Sequence, residues 1–379
     1  MTSRELASSP PTIAPATSCA PLPELHIGTI QLDFPVVQAA LSGYSDWAMR
    51  VLARRLGAPY TLCEVLLDRF VIEVTRGKKA QRYLRVTDEE HPVGAQLMGA
   101  DPVDFGPAAE RLVAAGFDVI DINFGCPVKK VLGRCRGGYL LSQVDTALEI
   151  VARTREAVPP HIPVTVKMRR GLDDSAESRD KFYRIFDGAF ALGVAAITVH
   201  GRTVHQRYVG PSRWEFLREL KRHAGSRTVL GSGDLFTPQA CLDMMRETGV
   251  DGVTAARGAI GNPWIFQQAR ALAAGLPLPE PPTIFEQRAV IAEHYQLAED
   301  LYGPEICGRH MRKFAIKYSK LHPLGLEVRD AFVRTCRPEQ WRAVFEQYYG
   351  VDGPGRHPSV DVDEGEGCEA FSPNSEPEA

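Results

Sequence analysis

Cys126 stands between Gly125 and Pro127, at the end of the run Asp118-Val119-Ile120-Asp121-Ile122-Asn123-Phe124. Lys129 and Lys130 follow it. Val119, Ile120 and Ile122 are apolar and partly β-branched, which suits a strand buried on both faces. Glycine frees the backbone and proline ends the ladder, so the thiol is delivered into a loop. A thiol beside two cations is set for chemistry; the plainer alternative is a half-buried cysteine in an ordinary strand-to-helix loop. Lys167 ends a second apolar run and has three readings: a Schiff-base amine, a cation for a cofactor ring or phosphate, or a partner for a carboxylate. His200 opens His200-Gly201-Arg202-Thr203 as a ligand contact, a general acid or a satisfied polar residue. No His/Cys/Asp cluster has metal-ligand spacing, so no metal is expected.

From Phe34 onward a short apolar run, a polar or Gly-rich loop and an amphipathic helix recur. The strand candidates are 35–41, 60–65, 92–98, 117–123, 163–168, 195–200, 228–231 and 252–256, with helices at 102–115, 143–157, 179–192 and 238–248. This alternation predicts a parallel sheet with helical crossovers. Eight units over roughly 240 residues match a (β/α)8 TIM barrel. A doubly wound open sheet is the alternative, but no GxGxxG follows the first run.

In such a barrel the working residues sit at the C-terminal strand ends. Those ends read Ala40-Leu41-Ser42, Glu64, Gln96, Asn123 with Cys126, Lys167 with Arg169, His200 with Arg202, Ser232-Gly233-Asp234, and Arg257-Gly258. Nearly all are polar or glycine, whereas the strand bodies before them are apolar. The loops 231–234 and 255–259 are small-residue loops after strands seven and eight, where barrels hold phosphate on backbone N–H groups, and Arg257 adds charge.

Residues 1–24 are rich in Ser, Pro, Thr and Ala and are expected to be a disordered leader. The barrel is expected over 25–275. Pro277, Pro279, Pro281 and Pro282 mark a linker. A small all-α domain is expected over 283–350. Within it Arg309, Lys313, Lys317 and Lys320 share one helix face, either a solvated surface or a grip on a polyanion. Residues 351–379 carry eight carboxylates against Arg356, a net −7 in a chain of −3, which leaves a mildly basic body of +4. This tail is expected to be disordered. The 379-residue chain is 44% hydrophobic and 24% charged, as soluble globular chains are. No apolar run is long enough for a membrane, and the N-terminus lacks the basic, apolar, small-residue order of a secretory signal. Eight cysteines without a CxxC pair fit a reducing compartment, with the cytoplasm as the default.

The chain resembles the tRNA-dihydrouridine synthases over about residues 27–320. The resemblance rests on Asp121-Ile122-Asn123-Phe124-Gly125-Cys126-Pro127-Val128-Lys129-Lys130, on Val166-Lys167-Met168-Arg169, and on His200-Gly201-Arg202-Thr203 with Gln206, Tyr208 and Gly210. It rests also on Arg257-Gly258-Ala259 followed by Gly261-Asn262-Pro263-Trp264. It implies FMN in the barrel mouth, NADPH as electron source and a uracil in tRNA as substrate, with no membrane and no stable protein partner. Hydride would pass from reduced flavin N5 to C6. The proton for C5 would come from Cys126, since an ordinary thiol with a pKa of about 8.5 is mostly protonated near neutrality. The flavin would meet Ala40, Leu41, Ser42 and Gln96, with Lys167 and His200 against the ring. Its phosphate would meet Ser232, Gly233, Asp234, Ala256 and Arg257. Asn123 would orient the uracil or bond the flavin. RNA phosphates would lie over Lys129, Lys130, Arg202 and the stripe Arg309, Lys313, Lys317 and Lys320.

The chain departs from the family pattern at Ala40-Leu41, where Pro-Met is usual, at Ser232 (Asn) and at Ala256 (Gly). Arg134-Cys135-Arg136-Gly137-Gly138 replaces a Gly-x-Gly-Ala run. Three other readings stay open at this level. They are an FMN-dependent reductase of a small pyrimidine or enone, a Lys167 Schiff-base lyase, and a non-catalytic tRNA-binding protein.

Overall fold

The computed structural model describes residues 24–74 and 77–358. An antiparallel hairpin of β1 (Leu25–Ile27) and β2 (Ile30–Leu32) opens the described chain. Eight parallel strands follow: β3 (Val36–Gln38), β4 (Thr61–Leu67), β5 (Val93–Met98), β6 (Val119–Phe124), β7 (Val164–Arg169), β8 (Ala196–His200), β9 (Thr228–Ser232) and β10 (Gly252–Ala255). They pair in chain order, and β10 returns to β3, closing a (β/α)8 barrel. The eight predicted runs all become strands. The hairpin was not anticipated; its Leu25, Ile27 and Leu32 pack with Val37, Leu62, Val119 and Leu230 and plug the N-terminal end of the barrel.

Strand alternation divides the work. In β6, Ile120, Ile122 and Phe124 join the shell beneath the helices, while Val119 packs inward with the hairpin. Asp121 and Asn123 share the parity of Val119 and so carry polar groups up the interior toward the mouth. Helix starts follow local capping chemistry. Ser175 caps Ala176–Ala191, and Thr237 caps Pro238–Thr248 with proline at the first turn.

β3 stops three residues earlier than its apolar run. The Leu41 N–H goes to Ser45 Oγ at 2.8 Å, and the N–H groups of Tyr44 and Ser45 return to the Leu41 carbonyl. Ala40-Leu41-Ser42 is therefore a turn at the barrel rim.

The C-terminal helices are Ile284–Tyr302, Pro304–Tyr318, Gly325–Val333 and Pro338–Tyr348. Thr283 and Glu286 form a capping box at the first. Phe314, Tyr318, Phe332, Trp341 and Tyr349 belong to the same buried apolar cluster as the barrel shell. Gly261 sets the approach: a Cβ there would come within 2.4 Å of the Lys317 backbone, so only glycine lets the barrel loop lie on this helix. Residues 351–358, assigned from composition to the acidic tail, fold back onto these helices. The Ile284 N–H donates to the Gly353 carbonyl, and the Arg356 N–H donates to the Leu321 carbonyl. The leader up to residue 23 and the tail from 359 lie outside the described residues. Among the described residues no helix is long and apolar enough to cross a membrane.

Candidate active site

A cavity of about 530 Å³ opens at the C-terminal end of the barrel. On β6 and its loop, Asn123 brackets the cysteine turn. Its Oδ1 accepts the N–H groups of Gly125 (2.9 Å) and Cys126 (3.0 Å), and its Nδ2 donates to Gln96 Oε1 (2.7 Å). Gln96 Nε2 donates to Asp121 Oδ2 at 2.6 Å, and Thr165 Oγ1 donates to Asp121 Oδ1 at 2.6 Å. Burial raises the Asp121 carboxyl above its ordinary range against these two hydrogen bonds and the nearby Lys167. The Gly138 N–H donates to the Cys126 carbonyl at 3.0 Å. A Cβ on Gly137, which has φ +58°, would lie 2.8 Å from that of Cys126. The thiol is thus carried on a turn tied at both ends, lining the cavity.

β7 and β8 supply the cations. Burial lowers the Lys167 ammonium to about 8; Arg169 adds to this, while Asp121 and Cys126 oppose it. Arg169 is fixed by the carbonyls of Gly125 (3.0 Å), Thr203 (2.8 Å) and Arg207 (2.6 Å). Burial brings it down to about 10. His200 is driven well below its ordinary range by burial and then by Arg169 and Lys167. Its Nδ1 accepts the Arg202 N–H at 3.1 Å, so the neutral ring carries its proton on Nε2.

The loops after β9 and β10 form the far end. Asp234 takes the Ser212 N–H (2.8 Å) and Arg202 Nη2 (2.8 Å), and Arg257 Nη2 lies 3.8 Å from it. The Arg257 guanidinium stacks on Tyr208 (4.8 Å) and Phe236 (4.9 Å) at the cavity wall. Opposite, Glu64 accepts the Gly43 N–H at 2.8 Å, and burial raises its carboxyl.

All eleven residues expected at the cofactor line this cavity: Ala40, Leu41, Ser42, Gln96, Lys167, His200, Ser232, Gly233, Asp234, Ala256 and Arg257. Cys126, Asn123, Lys129 and Lys130 line it too, the two lysines exposed at its edge. Several of the expected contact residues also have partners within the protein. Asn123 has both ends of its carboxamide engaged with the protein. Arg202 is buried instead of facing solvent; its Nε and Nη2 go to the Gly210 carbonyl and Asp234, while Nη1 is buried without a protein partner among the described residues. Lys313 turns into the junction with the barrel and donates to the Gly43 carbonyl. Arg309 is exposed, but Lys317 and Lys320 are partly buried, and Arg356 Nε donates to the Lys320 carbonyl, so the four cations do not form one solvent stripe. Sequence reasoning gave no role to Asp121, Thr165, Tyr208 or Glu64. Glu64 carried a signal as a strand-end carboxylate, and Asp121 and Tyr208 stood within the family motifs without a role; Thr165 carried none.

The dihydrouridine synthase family model matches residues 37–347. A probable tRNA-dihydrouridine synthase of Mycobacterium tuberculosis (strain CDC 1551 / Oshkosh) is 37% identical over 320 residues, 82% of this chain and 81% of that protein. A tRNA-dihydrouridine synthase B of Xanthomonas campestris pv. campestris is 33% identical, covering 86% of this chain and 96% of the other. Among solved structures, morphinone reductase superposes with a TM-score of 0.51 at 16% identity, over 70% of this chain and 93% of its own. An old yellow enzyme homologue from Zymomonas mobilis gives 0.50 at 14%, over 68% and 93%. These last two bear on the fold.

Proposed function

The chain belongs to the dihydrouridine synthase family, and from that premise we propose that it is a cytoplasmic, FMN-dependent, NADPH-linked reductase of a uridine in tRNA. The observation that carries the reading is the convergence of Cys126 and the eleven expected cofactor residues on one cavity. The donor set suits FMN. A ring that becomes anionic on reduction is matched by the Lys167 and Arg169 cations, and a phosphate by Arg257 and the small loops after β9 and β10. The Thr254 hydroxyl, which lines the cavity, is buried without a protein partner and is available to a polar ligand.

Saturating the pyrimidine 5,6 double bond takes a hydride and a proton. Reduced FMN supplies the hydride when bound. The protein does the rest. Asn123 and Gly137 fix the turn so that the Cys126 thiol, as general acid, gives its proton to C5. Neutral His200 presents Nε2–H as a fixed donor. Arg169, locked by three carbonyls, holds the cysteine loop through the Gly125 carbonyl. The target base must leave its stack to reach the cavity, and Lys129 and Lys130 at the edge meet the phosphates that follow it.

The test is spectroscopic. The purified protein, supplied with FMN, is expected to show a flavin band that NADPH bleaches anaerobically. Unmodified tRNA, but not free uracil, is expected to restore the band with one dihydrouridine formed per flavin reoxidised. A protein that takes up no FMN, or that reduces free uracil and ignores tRNA, overturns the reading.

A further inference from the structure

Gly43 is held at both polar ends by side chains from distant parts of the chain. It follows Leu41 and Ser42, which line the cavity. Its N–H donates to Glu64 Oε2 at 2.8 Å, and its carbonyl accepts from Lys313 Nζ. Glu64 belongs to β4 of the barrel; Lys313 belongs to the Pro304–Tyr318 helix, 270 residues further along the chain than Gly43. The Lys313 ammonium also lies over the rings of Tyr44 (5.2 Å) and Phe314 (5.1 Å), which meet edge to face at 5.3 Å. Two residues further on, Asp46 is buried and accepts from Tyr302 Oη at 2.8 Å and His310 Nε2 at 2.9 Å, both from the C-terminal helices. The rim turn is therefore fastened to the helical region along its length, and Lys313 is the fastening nearest the cavity.

We propose that Lys313 is a positioning residue for the cofactor site, holding the Gly43 carbonyl so that Leu41 and Ser42 present a fixed wall to the bound flavin. The inference rests on the FMN reading above. It replaces the expectation that Lys313 grips tRNA. A glycine in a short turn has no side chain to hold it, so its conformation depends on what its N–H and carbonyl are bonded to. Here each has one charged partner. Removing the ammonium leaves a carbonyl that must find water, and the turn then samples conformations that do not match a planar ring. Binding FMN would have to select among them, which weakens affinity without any lost contact to the flavin.

Lys313→Met keeps the unbranched apolar stem of the side chain and removes the terminal donor. It is expected to raise the FMN dissociation constant at least tenfold and to speed amide exchange at Gly43 and Tyr44 in the FMN-free protein at least tenfold. The salt dependence of tRNA binding is expected to stay unchanged. Lys313→Arg, which still donates to the carbonyl, should return FMN affinity to within threefold of the wild type. Unchanged FMN affinity in Lys313→Met overturns the proposal. So does a shallower salt dependence for tRNA with FMN affinity intact, since that is the signature of a phosphate contact. A second measurement needs no variant. Because FMN would favour the turn that Lys313 holds, saturating FMN is expected to slow acetylation of Lys313 in the wild-type protein at least threefold relative to Lys320, and equal slowing overturns the idea. If the wild type takes up no FMN, the underlying reading fails, while the exchange rates at Gly43 and Tyr44 still report whether Lys313 holds the turn.

Discussion

Two groups of ionisable side chains are embedded in this protein, and they are charged in opposite styles. At the barrel mouth burial pushes Lys167, Arg169 and His200 down; Arg169 adds to the pressure on Lys167, Arg169 and Lys167 add to that on His200, and Arg202 and Arg257 add to that on both Arg169 and His200. At the junction with the helices the charges answer each other. Burial alone would raise the Asp46 carboxyl, but His310, His294 and Lys313 hold it well below the usual carboxylate range. An excess of cations around an open cavity is costly unless an anion arrives from outside. A matched set of acid, imidazole and phenol is complete within the protein. The first pattern marks a place for a ligand, the second a joint.

The sharpest way to break this contrast is to remove the acid at the mouth. Cys126→Ala is expected to lower dihydrouridine formation 10²- to 10⁴-fold, the usual range for losing a positioned general acid. FMN reduction by NADPH and the urea midpoint should be unchanged. Normal product formation by that variant would remove Cys126 from the mechanism. The junction should respond the other way. Asp46→Ala strips the acceptor from Tyr302, His310 and the Met49 N–H at the start of the Trp47–Arg55 helix. A loss of about 3–5 kcal/mol in urea unfolding is expected. A loss under 1 kcal/mol would mean the cluster is not a joint.

The junction also predicts a pH dependence. His294 Nδ1 lies 3.0 Å from the Tyr318 hydroxyl. Burial brings the His294 imidazole down to about 4, with Asp46 opposing and His310 and Lys313 assisting. Between pH 6.5 and about 4 the unfolded chain binds a proton that the native state refuses, so this contribution is complete above 6.5 and declines as the pH falls through that window. The amount at stake is about 3 kcal/mol. Urea midpoints measured from pH 7 to 4.5 should fall less steeply in His294→Gln than in the wild type. Parallel curves would show that His294 is not the titrating group.

The barrel was legible because strand parity and strand ends carry separate signals. Val119, Ile120 and Ile122 define β6, and Asn123 and Cys126 mark where it stops. The same logic fixed Lys167 and His200, since a polar residue ending an apolar parallel strand has only the mouth to face. Helix faces were less legible. Spacing places Lys313 on one face of the Pro304–Tyr318 helix, yet nothing in that spacing says the face turns inward onto Gly43. The partners of Arg202 were not legible for a related reason: the Gly210 carbonyl and Asp234 lie eight and 32 residues away and are brought to it by loop folding that has no period. Composition also gave no sign of the backbone hydrogen bonds that tie Gly353 to Ile284 and Arg356 to Leu321.

Lys129 and Lys130 offer the finest comparison, with Lys313 as the control. All three were expected to meet RNA phosphate, but the first two are exposed at the cavity edge and the third is bonded to the Gly43 carbonyl. A phosphate contact contributes through released counterions, so its loss appears in the salt dependence. The double variant Lys129→Ala/Lys130→Ala should flatten the slope of log affinity for tRNA against log salt by about 1.5 to 2, with only a several-fold loss of affinity at physiological salt. Lys313→Met should leave that slope alone. Equal slopes for all three proteins would place the RNA away from the cysteine loop, and a flattened slope for Lys313→Met would return that lysine to the RNA surface.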